Sequence, residues 1–271
     1  MAPAGTAATL ELDSELGDRW HVVLYLGSVL ARGEWVTLAI GVDLSGAKHV
    51  LGLWEGATLN EAVARRAVGE LTARGLRTEP GVLVVTDGRR ALDEAIKQAW
   101  GGRARIAHCQ YQVQQEVLAH LPEKERPSVA DRLRRIWTAP VDEAAGQLDQ
   151  LLAALQARHP GAAARLLGSY EAVLTVGHLG LPPDLAPHLA AAGALRVTVE
   201  HALEASSPTQ RGMAAVRAGL PAAVSRMRRT VGAAGLAILA QRLGAAADVA
   251  AIHKTGTVPS RAESTARSPR E

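Results

Sequence analysis

Gly81-Val82-Leu83-Val84-Val85-Thr86-Asp87-Gly88-Arg89-Arg90-Ala91-Leu92 is an apolar run that ends in a carboxylate just before a helical pattern. The aliphatic residues predict a buried strand over 82–87, and Asp87-Gly88 supplies turn chemistry. Leu92, Ala95, Ile96 and Ala99 then recur at helical spacing. An aspartate at the end of a buried strand is where metal-dependent nucleic-acid enzymes keep one of their acids, which makes Asp87 the leading candidate for catalysis and metal ligation. An Asp-Gly pair in this place is also an ordinary turn, so its partners decide.

Upstream, three apolar runs predict strands at 20–28, 34–43 and 47–54. The second and third are joined by Asp43-Leu44-Ser45-Gly46-Ala47-Lys48, whose Asp, Ser and Gly favour a hairpin turn. Asn60 is a good N-cap for a helix carrying Val63, Ala67 and Leu71 on one face. Strand, helix, strand order predicts a right-handed crossover into a parallel pairing with 82–87. A further short strand is expected at 104–108. The chain thus divides into a leader remnant at 1–19, a core at 20–110, a helical insertion at 111–190, a helical segment at 191–254 and a disordered tail at 255–271.

With 271 residues, 48% of them hydrophobic, the chain can bury a substantial core. Its net charge of +3 fits a polyanion partner without requiring one. Arg211, Arg217, Arg226, Arg228 and Arg229 form a basic cluster that suits DNA phosphates or, equally, a solvated helix face. The single cysteine, Cys109, excludes an intramolecular disulfide. Residues 1–9 lack signal-peptide character, which implies a cytoplasmic location. The longest apolar stretch, 231–252, is broken by Gln241, Arg242 and Asp248, so no membrane span is expected. The nine histidines show no spacing that suggests zinc.

Three antiparallel strands followed by alternating helices and parallel strands is the layout of a ribonuclease H-like fold: α/β, with a mixed five-stranded sheet, flanking helices and a helical insertion. Its first and fourth strands are neighbours, so two carboxylates can share divalent ions. Two Mg²⁺ ions roughly 4 Å apart would activate the attacking oxygen and stabilise the leaving one.

The segments Gly46 to Thr58, Val84-Val85-Thr86-Asp87-Gly88, His108-Cys109-Gln110, Leu118 to Pro127 and Leu179-Gly180-Leu181-Pro182-Pro183 resemble, in order, the Mutator-type insertion-sequence transposases. That resemblance covers about Leu24 to Leu189. It implies cleavage and joining of transposon-end DNA by an Asp, Asp, Glu triad with Mg²⁺ or Mn²⁺, in homo-oligomers or in assemblies with intact transposase. The second acid falls on Asp87. The first falls on Gly27, where Leu26-Gly27-Ser28 replaces Leu-Asp-Gly, and the third falls on Arg196. The family's Cys-x-x-His element is Cys109 with Gln112 in the histidine position. Glu200, one helical turn past Arg196, is the nearest replacement acid. The resemblance therefore implies a degenerate copy that also lacks the family's N-terminal DNA-recognition region, catalytically impaired or serving as a non-catalytic DNA-binding or assembly module. Its pattern stops abruptly near Leu189, as a shifted reading frame would make it do.

Overall fold

The computed structural model describes residues 8–244. The expected tail at 255–271 lies outside them. The described chain is α/β, built on one mixed sheet whose strands are β1 (Ala8–Leu10), β2 (His21–Ala31), β3 (Glu34–Asp43), β4 (Lys48–Glu55), β5 (Val82–Thr86) and β6 (Ala104–His108), in the order β1-β4-β3-β2-β5-β6. The expected five strands are present within about three residues of their predicted ends. A sixth, β1, corrects the strand count. It pairs in parallel with the start of β4, inside the segment read from sequence as a leader remnant.

Strands β2, β3 and β4 form the antiparallel part, and β5 and β6 add in parallel beside β2. The turn between β3 and β4 closes on Asp43, whose carboxylate accepts from Ser45 N at 2.8 Å. Helix α1 (Glu61–Ala73) begins where expected, because the Asn60 side chain accepts from Ala62 N. It crosses to β5, and α2 (Arg90–Trp100) carries the chain on to β6.

Both faces of the sheet are covered, so β5 reads as an unbroken apolar run. Leu24, Leu26, Val82 and Val84 pack against Ala67, Leu71, Leu92 and Ile96 of α1 and α2. Val23, Tyr25, Leu83 and Val85 face the other way, into a second core shared with the chain after 184.

Helices α3 (Gln110–Ala119), α4 (Arg126–Thr138), α5 (Val141–Arg158), α6 (Pro160–Leu167) and α7 (Tyr170–His178) enclose a separate core around Val117, Leu133, Leu148 and Leu166. The next helix, α8 (Ala186–Ala190), buries Leu189 and Ala190 against the sheet instead.

The segment beyond the family-like pattern is an integral part of the described fold. Helices α9 (Gly193–Ala205) and α10 (Gly212–Arg226) bury Leu195, Val199, Val216 and Leu220 in the sheet-face core, each contributing roughly 2 kcal/mol of apolar burial. Arg32, in the β2–β3 turn, donates to the carbonyls of Leu203, Ser207 and Gln210. The Leu203 contact places a cation at the carboxyl end of α9, where the helix dipole favours it.

Candidate functional site

Leu26 pairs with Thr86 in the parallel β2–β5 register, so Gly27 and Asp87 follow side by side at the carboxyl ends of their strands. Gly27 leaves the space that Asp87 fills, since a Cβ built on it would lie 3.2 Å from the Asp87 Cβ. Asp87 is 8% exposed. Its Oδ2 accepts from Ser28 N at 2.9 Å, from Ser28 Oγ at 3.1 Å and from the Thr58 hydroxyl. Its Oδ1 is buried without a protein partner.

Asp87 lines a pocket of about 60 Å³ together with Ser28, Cys109, Gln112, Leu195 and Arg196. This has room for ordered water but little more. The positions singled out in the sequence therefore meet in space, with Gly27 against Asp87 and Cys109, Gln112 and Arg196 in the pocket wall. Asp87 is the sole carboxylate in the lining among the described residues.

Glu200 is absent from that lining. It pairs with Arg196 across one turn of α9, with 49% of its side chain exposed. The Arg196 guanidinium also sits 5.7 Å from the centroid of the Tyr111 ring, a cation–π distance. Cys109 caps α3 by accepting from Gln112 N, and its thiol donates to the Ala191 carbonyl at 2.8 Å. Burial pushes that thiol up to about 11, so it stays protonated near neutral pH and is a poor metal ligand there.

On the other side of Asp87 lies a polar chain that sequence reading missed. Thr86 Oγ1 donates to Asp93 at 3.0 Å, His108 Nε2 meets Asp93 Oδ2 at 2.7 Å, and His108 Nδ1 meets Ser169 Oγ at 2.9 Å. Arg165 donates to both Ser169 and Glu116, and Glu116 accepts also from Arg89 and Gln112. Ser169, His108 and Asp93 have the composition of a nucleophile relay. Ser169 is only 1% exposed, however, and its oxygen receives the Arg165 guanidinium, so the chain acts as a tie between the sheet and the helices that follow it.

The basic cluster divides. Arg226, Arg228 and Arg229 line a cavity of about 710 Å³ with Lys48, His188 and His201, whereas Arg211 and Arg217 are exposed elsewhere. Arg226 pairs with Glu204, and Arg229 donates to the Ser45 carbonyl. Burial lowers the Lys48 pKa.

The sequence profile described as "Transposase, Mutator family" matches residues 26–180, more than half of the chain. The chain belongs to the Mutator family of transposases. It is 30% identical over 140 residues to a probable transposase for an insertion sequence element of Corynebacterium diphtheriae, an alignment covering 47% of this chain and 39% of that protein. A second relative, the transposase for insertion sequence element IST2 of Acidithiobacillus ferrooxidans, is 32% identical over 132 residues, 47% of this chain and 43% of the relative. This Mutator-family chain thus spans about two-fifths of the length of the curated relatives it matches. The matched span contains Gly27, Asp87, Cys109 and Gln112 and ends before Arg196 and Glu200. Among the described residues no helix is long and apolar enough to cross a membrane.

Proposed function

We propose that this chain is a transposase-like protein on a ribonuclease H-like core, directed to transposon-end DNA and impaired in strand cleavage. The sheet order β4-β3-β2-β5-β6, antiparallel on one side of β2 and parallel on the other, supports the core assignment. The observation that carries the impairment is the Asp87 pocket, which offers one carboxylate where glycine stands at 27 and a guanidinium at 196.

That donor set does not fit a pair of Mg²⁺ ions. Mg²⁺ needs hard oxygen ligands in near-octahedral arrangement. Here one oxygen of the acid is taken up by Ser28 and Thr58, and the pocket wall carries a cation. No hydrolytic step through bound metal is therefore assigned to Asp87. Its present work is to hold the ends of β2 and β5 to the loop at Thr58.

Purified protein incubated with end-containing DNA and Mg²⁺ or Mn²⁺ is expected to leave the DNA unnicked. Robust nicking that disappears in Asp87→Ala would overturn the reading.

A second, non-catalytic role in DNA binding and assembly with itself or with intact transposase is favoured by the exposed Arg226, Arg228 and Arg229 beside Lys48. If these three arginines contact phosphates, replacing them with alanine lowers the slope of log affinity against log salt by roughly 3. An unchanged slope would remove them from the interface. Co-purification with full-length transposase tests the assembly half, and a chain indifferent to it would end that half.

A further inference from the structure

Away from Asp87, at the other end of the sheet, two histidines and two carboxylates converge. His21 opens β2 and stands roughly 20 Å from Gly27, six residues along the strand at about 3.3 Å each. Asp43 closes β3 and is in register with His21, while His49 lies in β4 opposite Gly41. Glu11 follows β1 and is anchored by its backbone N–H to the Val50 carbonyl at 2.8 Å.

The cluster is built. The β2–β3 register shifts between His21 and Val23, a bulge of the kind that re-aims a side chain. Gly41 makes room for the imidazole, since a Cβ there would lie 2.4 Å from His21 Cδ2. His21 and His49 stack edge to face with centroids 5.2 Å apart. His49 Nε2 meets Asp43 Oδ2 at 2.8 Å, and its Nδ1 lies 3.4 Å from Glu11 Oε1.

His21 is 0% exposed, and both of its ring nitrogens are buried without a hydrogen-bond partner. A fully buried imidazole is normally paired, so two orphaned nitrogens call for an explanation. One ligand atom from each of Glu11, His21 and His49 falls within 4.8 Å of the other two. Ligand atoms around tetrahedral zinc, with bonds of 2.0–2.1 Å, sit about 3.3 Å apart. The Glu11–His49 separation already matches, and a His21 ring nitrogen within 4.8 Å of both supplies the third donor.

We propose that Glu11, His21 and His49 form a binding site for a single zinc ion, with Asp43 orienting His49. Two imidazoles and one carboxylate are a donor set suited to zinc and poorly suited to magnesium. The Asp43–His49 pair is the carboxylate–histidine contact that fixes tautomer and ring direction in zinc sites. Arg19 donates to Glu11 and lies 3.0 Å from His49 Nδ1, so its guanidinium neutralises the acid, and with 43% of its side chain exposed it is free to swing outward as the metal enters. The ion joins the short β1 segment to the central strands. It also gives His21 the partner that the protein alone does not supply.

The test is calorimetric titration of Zn²⁺ into the full chain after chelator treatment, beside Co²⁺ titration followed by visible absorption. One Zn²⁺ per chain is expected, with tetrahedral Co²⁺ bands. His21→Phe, which keeps a flat ring without its nitrogens, is expected to weaken Zn²⁺ binding at least about tenfold, as is Glu11→Gln. Arg19→Gln is expected to tighten it, and Asp87→Ala to leave it unchanged. Should His21→Phe misfold, the more accessible Glu11→Gln carries the test. A native chain that takes up no Zn²⁺, or variants at Glu11 and His21 that bind as the native chain does, would overturn the proposal.

Discussion

The two ends of the sheet treat their buried polar groups in opposite ways. At the carboxyl ends of β2 and β5, Asp87 keeps a place next to Gly27, and hydroxyls and a backbone amide converge on one of its oxygens. At the far end, Glu11, Asp43 and His49 surround a histidine that bonds to none of them. Asp87 keeps three donors on Oδ2 and leaves only Oδ1 without a partner, whereas neither ring nitrogen of His21 has one. Family membership directs attention to the first end. Polar satisfaction directs it to the second.

The largest expected effect comes from the chain that backs the Asp87 end. His108→Ala leaves the Asp93 carboxylate and the Ser169 hydroxyl without their shared partner, and urea denaturation should show a loss of about 3 kcal/mol. A loss below about 1 kcal/mol would mean that the tie between the sheet and the helices that follow it is not made there.

Asp87→Ala removes the acceptor for Ser28 N, Ser28 Oγ and the Thr58 hydroxyl, and is expected to cost about 2 kcal/mol. A variant as stable as the native chain would make Asp87 dispensable to the fold and weaken the contrast between the ends.

At the other end the effect is smaller. His21→Phe, measured with chelator present, should leave the chain within about 1 kcal/mol of native, because losing two unpartnered polar nitrogens offsets the fit of a larger ring beside Gly41. Burial, reinforced by His49 and Arg19 and opposed by Glu11 and Asp43, lowers the His21 pKa to about 4. Because the unfolded chain takes up this proton near pH 6.5 and the folded chain does so only near 4, the stability from His21 is fully present above about pH 6.5. It is lost as pH falls from there toward 4, at up to about 1.4 kcal/mol per pH unit. His21→Phe should flatten that part of the profile, and an unchanged profile would place its cause elsewhere.

The smallest effect belongs to Arg196→Ala. Its pairing with Glu200 is half exposed, so a change within about 0.5 kcal/mol is expected. A larger loss would mean that the guanidinium helps hold the pocket closed.

Much of this architecture was legible because β2 to β6 are apolar runs bracketed by turn residues. Strand β1 was not, since three residues paired to a sheet edge leave no periodicity to detect. Asp87 could be found from its strand end, and Gly27 and Arg196 from the family pattern. The hydroxyls that engage Asp87 could not, because Ser28 and Thr58 gain meaning only when β2 and the loop at 58 come together. The histidine cluster was invisible for the same reason. Residues 11, 21 and 49 have no zinc-like spacing in the sequence, and the register of β2, β3 and β4 brings His21 and His49 into contact. The segment after 190 looked foreign to the family pattern, yet the spacing of Leu195, Val199 and Ala202 is a helical stripe that the sheet can bury.

The decisive measurement is a Mn²⁺ titration in the His21→Phe background, where the far end is disabled, with and without the paired changes Gly27→Asp and Arg196→Glu. Loss of the catalytic metal site predicts no Mn²⁺ bound with native residues 27 and 196, and binding that depends on Asp87 once both acids are restored. Mn²⁺ bound by the His21→Phe chain and lost on Asp87→Ala would contradict it, and would return the Asp87 pocket to the working transposases.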